Sequence, residues 1–378
     1  MSTNPRIYLD FNATSPISAN VRKALTQMIS ELALGSGNPS SIHAEGREAR
    51  DRVERARDQV ARLLGRPREQ VVFTSGGTEA NQLGVLGLAA AAARRGLPRV
   101  VAAAAIDHPS LQGAVGALVS RGWRFHPIAV TGQGALEASS LAGVGLVTLA
   151  QVNHELGTLA DPAVVAAARA AGALVHLDAV QAAGKRALAE LDGDAIAISG
   201  HKLGAPQGVG ALAIACDDGL PVIEAGHQER GRRPGTENAL GIVGFGAAAE
   251  AAVLAGPASW GAVAALSDRL EAGLAAIDGV RIHGAGAPRI GGTVNAGFAG
   301  ALGESIVIAL DLAGIAASTG AACSSGSVQP SPVLLGLGLG PDQARQAVRF
   351  SLGRTTTAEE IDAVLARLPP IVARARRR

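Results

Sequence analysis

From about residue 70 the chain alternates short apolar runs with longer alanine-rich stretches. Val71-Val-Phe-Thr74 leads into Ser-Gly-Gly-Thr78, Val100 to Ala105 into Ile106-Asp-His-Pro109, and Leu146 to Ala150 into Gln151-Val-Asn-His-Glu-Leu-Gly157. Ala173-Leu-Val-His-Leu177 runs into Asp178, and Ala195-Ile-Ala-Ile198 into Ser199-Gly-His-Lys202. Apolar runs this short, closed by turn residues, predict buried strands. The intervening stretches predict helices. Pro162 to Ala171 stops at Gly172, a glycine C-terminal signal, and Leu88 to Ala93 is strong helix-forming sequence. The cadence predicts an α/β fold with a mainly parallel sheet covered by helices on both faces.

After about residue 250 the texture changes. A helix over Trp260 to Ile277 leads to strands at Val280-Arg-Ile-His283 and Thr293 to Phe298, and Thr357-Ala-Glu-Glu360 fits a capping box opening the last helix. We read a large domain over 16–252. A smaller α+β domain takes 253–378 and is completed by residues 1–15.

Composition narrows the picture. The chain has 378 residues, 48% of them hydrophobic, with 34 Lys+Arg against 32 Asp+Glu. Aromatics make up only 2%, so stacking on nucleic-acid bases is not expected. The basic tail Arg374-Ala-Arg-Arg-Arg378 reads as a solvated helix end. No apolar run reaches membrane-spanning length and the N-terminus lacks a signal-peptide core, so a soluble, cytoplasmic protein is expected. The two cysteines, Cys216 and Cys323, form no disulfide framework and no paired metal motif.

The polar residues that close the strands carry the candidate chemistry. Thr78, His108, Asn153, Asp178 and Lys202 each follow a predicted strand, and ligands of open α/β sheets gather at the carboxyl ends of strands. Lys202 is either a surface lysine after a strand or a buried one, costly there unless its charge is used or removed, and a Schiff base is one way to resolve that cost. Gly77 and Thr78 open a helix, whose N–H groups and dipole make a seat for phosphate; a plain cap at Thr78 is the ordinary alternative. Asp178 is either a loop aspartate or the partner of a cation such as a protonated pyridine nitrogen. Gln181 lies one turn on. His108 is either a hydrogen-bonded loop histidine or a ring that stacks and shuttles protons. Cys216 closes an apolar run and reads as structural. Cys323, in a Gly/Ser-rich loop, reads as a reactive thiol.

Together these segments resemble the pyridoxal-phosphate-dependent cysteine desulfurases of the fold-type I, class V aminotransferase superfamily. The likeness runs from Tyr8-Leu-Asp-Phe-Asn-Ala-Thr14 through Gly37-Asn-Pro-Ser-Ser-Ile-His43, Ser75 to Asn81, Asp178-Ala-Val-Gln181 and Ser199 to Lys202. It continues through Gly226 to Asn238 and Ala322-Cys-Ser-Ser-Gly-Ser327 to Val348-Arg-Phe-Ser-Leu-Gly-Arg354. It implies a seven-stranded type of sheet and pyridoxal 5'-phosphate bound through Lys202. Asp178 would hold the ring nitrogen, Gln181 the phenolic oxygen, and His108 would stack on the ring. Asn153 and His154 would lie on the cofactor. Gly77, Thr78, Ser199, His201 and, from a second subunit of a homodimer, Thr236 would bind its phosphate. Asn38 and Arg349 would face the substrate L-cysteine. Cys323 would take its sulfur as a persulfide for an acceptor protein, an iron–sulfur scaffold or a thiolation enzyme. The likeness implies no metal.

The chain departs from the family where two asparagines usually precede a glutamate: it has Asn153-His154-Glu155. This implies retained activity with altered pH dependence. A related lyase or aminotransferase, such as one acting on selenocysteine, and a non-catalytic dimeric platform are the alternatives.

Overall fold

The computed structural model describes residues 6–31, 37–215, 225–320 and 329–377. Seven strands build the main sheet: β2 (Val71–Thr74), β3 (Val100–Ala104), β4 (Arg124–Ile128), β5 (Leu146–Ala150), β6 (Leu174–Asp178), β7 (Ala195–Ser199) and β8 (Gly210–Ile214), after a short β1 (Ile7–Tyr8). Their order is β2-β8-β7-β6-β5-β3-β4. β8 alone runs opposite to the other six, and its pairings with β2 and β7 are antiparallel. Every residue of β3, β6 and β7 is buried, as expected for strands covered on both faces.

Each face has its own core. One packs Leu83, Leu88 and Leu111 of helices Gly77–Arg94 and Pro109–Val119 against Val101 and Leu212. The other packs Val53 and Val60 of Ala44–Leu64, Val164 of Pro162–Ala170 and Phe245 of Ala239–Ala255 against Val147 and Ile196.

A second sheet is antiparallel, with β10 (Thr293–Phe298) between β9 (Val280–His283) and β12 (Ala347–Ser351). The N-terminal strand β1 pairs in parallel with β11 (Ile315–Ala316), and Leu9, just beyond it, enters the core of this second layer beside Phe298 and Phe350. The chain's two ends are thereby brought to one side of the main sheet, which decides what faces the strand ends.

Local expectations and structure differ in small ways. The helix expected over 260–277 is a 3-10 turn, Pro257–Trp260, then an α-helix over Gly261–Ala275. The Thr357 capping box forms with both hydrogen bonds, 2.9 and 3.3 Å. Asp178 is the last residue of its strand rather than the first beyond it.

Candidate active site

A cavity of about 730 Å³ opens at the carboxyl ends of the main sheet. Lys202, His108, Asp178, Gln181, Ser199, His201, Gly77, Thr78, His154 and Arg349 all line it. Scattered over more than 270 positions of sequence, all but Arg349 meet because parallel strands deliver their following turns to one edge, and Arg349 faces them from the second sheet.

The floor is polar and dry. Asp178 is 5% exposed. One carboxylate oxygen accepts Asn81 Nδ2 at 2.8 Å and the other the Val180 N–H at 2.9 Å. Burial raises its pKa, opposed by those hydrogen bonds and by the charges of His108 and Lys202. Among the described residues no cation forms an ion pair with it.

Asn81 spans from Asp178 to Ser110, donating to Ser110 Oγ at 2.8 Å. The Ser110 N–H in turn donates to His108 Nδ1 at 3.1 Å. That bond makes Nδ1 an acceptor and puts the proton of the neutral ring on Nε2. Burial keeps His108 neutral by lowering its pKa; Lys202 adds to this and Asp178 opposes it.

Lys202 follows β7 in a single 3-10 turn, Gly200–Leu203. Its Nζ donates to the Asn12 carbonyl and, at 2.8 Å, to that of Ala13. Burial, reinforced by Arg349 and opposed by Asp10 and Asp178, brings its ammonium down to about 8. A lysine so poised spends an appreciable fraction of its time as the nucleophilic amine near neutral pH.

Beside it an anion seat is ready. Helix Gly77–Arg94 begins at Gly76 with no side chain capping it, so Thr78 lies within the first turn and is not the cap. Its dipole and free N–H groups face the Ser199 hydroxyl, which is buried and has no hydrogen-bond partner among the described residues. A Cβ at Gly77 would lie 2.8 Å from Val180 Cγ2 and 3.3 Å from Ser199 Cβ, filling the cradle. At Gly210 a Cβ would lie 2.6 Å from the Gly76 carbonyl carbon, so glycine there lets the turn close. His201, neutral because burial and Lys202 press it down to about 4, bonds to Thr14 Oγ1 at 3.1 Å.

The opposite wall comes from the second sheet and the N-terminus. Arg349, on β12, donates to Asp10 Oδ1 at 2.8 Å and to the His154 carbonyl at 3.1 Å, and its buried Nε has no partner among the described residues. That carbonyl also accepts Asn12 Nδ2 at 3.1 Å. The His154 ring stands edge-on to His108, with centroids 5.0 Å apart and planes at 76°. Burial first, then the charges of His108, Arg349 and Lys202, holds its pKa well below the usual histidine range. It therefore sits in the cavity as a neutral ring.

Three expected residues are placed elsewhere. Asn153 does not reach the cavity: it donates to the Ile106 carbonyl at 2.9 Å and accepts the Glu155 and Leu156 N–H groups at 2.9 and 3.0 Å. It shapes the turn that presents His154. Asn38 closes an Asn-Pro-Ser turn onto the Ser40 N–H at 2.9 Å, and Thr236 also lies outside this chain's cavity. Thr236 follows a segment pinned by the buried Arg57–Glu229 pair, two bonds of 2.7 Å. Cys323 and Cys216 lie outside the described residues, but Gly320 and Gln329, on either side of the segment carrying Cys323, both line the cavity.

Asn12, Asn81, Ser110 and Asp10 were not foreseen as site residues. Only Asn81 carried a local signal, a polar residue on the otherwise apolar buried face of its helix.

A nucleophilic lysine, a dry carboxylate without a cation and an anion seat, all on one sheet edge, define an enzyme of the fold-type I pyridoxal-phosphate kind. The chain belongs to the class-V aminotransferase family, matched over residues 7–364, whose enzymes depend on pyridoxal phosphate. It is 40% identical over 381 residues to a cysteine desulfurase of Enterobacter agglomerans, covering 98% of this chain and 93% of that protein. Among solved structures it resembles a NifS-like protein, with TM-score 0.86 and 29% identity, covering 97% of this chain and 99% of that one. It also resembles SspA in complex with cysteine, with TM-score 0.77 and 26% identity, covering 93% and 100%.

The residues present fit that cofactor. The unpartnered Ser199 hydroxyl and the Gly77 cradle suit a phosphate, and Asp178 lacks the cation that a protonated ring nitrogen would supply.

Proposed function

We propose that this chain is a cysteine desulfurase, which converts L-cysteine to L-alanine and holds the sulfur as a persulfide on Cys323 for delivery to an acceptor protein. The observation that carries the reading is Lys202, an amine brought to about 8 in the cavity that also holds Asp178 and the Ser199 seat. Bound there, pyridoxal phosphate supplies an electron sink next to the substrate's α-carbon.

The chain's own groups do the rest. Lys202 holds the cofactor and then, freed, moves protons at the substrate carbons. Asp178, its carboxylate oriented by Asn81 and the Val180 N–H, would pair with the ring nitrogen and hold it protonated. Ser199, His201, Gly77 and Thr78 hold the phosphate. His108 presents Nε2–H to the cavity, its other nitrogen tied to Ser110. Arg349 offers its unpartnered Nε to the substrate carboxylate while Asp10 holds the guanidinium in plane. The Cys323 thiolate attacks the substrate's sulfur. The sulfur–sulfur bond forms, the carbon–sulfur bond breaks, and its electron pair stays with the carbon, which takes a proton and leaves as alanine.

Two further parts of the reading concern partners. Thr236 lies outside its own chain's cavity, which supports a homodimer in which each subunit completes the other's phosphate seat. The acceptor is an iron–sulfur scaffold or a thiolation protein.

The test is spectroscopic and chemical. Purified protein should absorb in the visible, and Lys202→Ala should lose that lysine-dependent band together with alanine release, by on the order of 10⁴-fold. Cys323→Ser should keep the band and form no persulfide. Full activity on cysteine in Cys323→Ser would favour a lyase that needs no thiol. A colourless wild type that cannot be reconstituted would favour a non-catalytic platform.

A further inference from the structure

Lys185 is a second buried lysine, packed against Gln181 and Asn12 of the cavity wall, and the reaction does not use it. It lies one turn beyond Gln181 in the tight coil that follows β6, at the i+4 spacing that puts two side chains on one face. Its Nζ donates to Gln181 Oε1 at 3.0 Å and faces Asn12 Oδ1 at 3.4 Å. The Trp260 ring closes the other side, 5.2 Å from Nζ.

This contact settles a question of orientation. A glutamine side chain has an acceptor end and a donor end of nearly equal shape, and its neighbours decide which way it points. An ammonium can only donate, so it claims the oxygen. The amide nitrogen is thereby turned to the Asn12 carbonyl, which it reaches at 3.0 Å. The Lys202 ammonium donates to that same carbonyl. One N–H of Gln181 is spent on Asn12 and the second is left for the cavity, which Gln181 lines.

We propose that Lys185 is a positioning residue that fixes Gln181 with its NH₂ end toward the cofactor, so that the phenolic oxygen always meets a donor. The inference rests on the reading that Gln181 serves that oxygen. Without Lys185 the amide is free to turn over, presenting an oxygen that repels the phenolate. Burial, with Lys202 and Arg349 nearby, brings the Lys185 ammonium down to about 7. Below that value Lys185 is the ammonium, donating to the two side-chain oxygens that face it.

The experiment is a pH titration of the visible absorption band of the holoenzyme, made on single and double variants, with circular dichroism as the check on folding. A donor at the phenolic oxygen weakens that oxygen's hold on the proton it shares with the lysine nitrogen. Gln181→Ala should therefore move the band's midpoint upward by about one pH unit, a tenfold change in proton affinity. Lys185→Met matches the stem and removes only the charged end, and should move the midpoint in the same direction by a similar amount. In the Gln181→Ala background, Lys185→Met should add nothing, because residues acting through one group are not additive. Lys185→Arg keeps the donors and should hold the wild-type midpoint.

If Gln181→Ala leaves the midpoint unmoved, the reading of Gln181 fails and the inference falls with it. If Gln181→Ala shifts it but Lys185→Met does not, only the role of Lys185 is overturned. Equal shifts by Lys185→Met in both backgrounds would mean that its charge acts directly, which also overturns the proposal. So would a shift in Lys185→Arg as large as that in Lys185→Met, and the arginine variant decides the matter if the methionine variant does not fold.

Discussion

The two walls of the cavity are built on different principles. The sheet wall carries Asp178, Ser199, Lys202 and His108 on the ends of parallel strands or within four residues of them, so the sheet's own backbone places each of them. The facing wall carries Asp10, Asn12 and Arg349, and its bonds join residues hundreds of positions apart: Arg349 to Asp10, Asn12 to Thr293. The first is rigid because a buried parallel sheet leaves its strand ends little freedom. The second is rigid only while both ends of the chain stay docked. A substitution on the sheet wall should strike the chemistry, and one on the facing wall should strike substrate binding.

The largest effect expected from that contrast is at Asp178. Asp178→Ala removes the partner of the ring nitrogen and should lower kcat on the order of a thousandfold, with a smaller change in KM. Steady-state kinetics on reconstituted protein measures it, and a loss confined to KM would erase the distinction between the walls.

On the facing wall, Arg349→Ala should raise KM for cysteine roughly a hundredfold, the scale of about 2–5 kcal/mol for truncating a buried charged hydrogen-bond partner. Arg349→Lys keeps the charge but not the fork and should recover only part of the loss. A pure kcat defect in either variant would blur the division of labour.

The sheet also predicts its own acid sensitivity. His176, in the middle of β6, is fully buried, with its pKa pressed by burial to about 3. In the unfolded chain it returns to roughly 6.5. Between these values the unfolded state takes up a proton that the folded state refuses, so stability is lost as pH falls through the window. The loss is about 1.4 kcal/mol per pH unit from this group. Urea unfolding at pH 7, 6 and 5 should show it, and His176→Gln should flatten the slope. An equal slope in both proteins would mean that His176 is not the group responsible.

The smallest effect is at His154. Its neutral ring should let His154→Asn keep activity within about threefold above pH 7. Only the acid side of the pH–rate profile should change, where the wild-type ring begins to charge beside His108 and Arg349. An unmoved acid limb would remove His154 from the account of pH dependence that its departure from the family suggests.

The same contrast explains what the chain disclosed before folding. Strand-end residues are legible because the apolar run and the polar residue that closes it are adjacent, so β2, β5, β9 and β10 fall where the pattern places them. Lys202 and Asp178 follow from the same logic. Asn153 shows its limit: it too stands beyond a strand, but its side chain turns inward to satisfy backbone N–H groups, and periodicity does not distinguish a residue that closes a turn from one that faces a ligand. Asn12 and Asp10 lie in the Tyr8–Thr14 segment that resembles the family, but neither hydrophobic pattern nor strand position marked them as site residues. Their importance exists only once β1 docks beside β11 and β12, a pairing across more than 300 residues.

The measurement that bears most directly on the central claim is mass spectrometry of the peptide containing Cys323 after the holoenzyme meets one equivalent of L-cysteine without an acceptor. This peptide should gain one sulfur atom as one alanine is released, and Lys202→Ala should show neither change. Alanine released with Cys323 unmodified, or sulfur appearing on Cys216 instead, would contradict that claim.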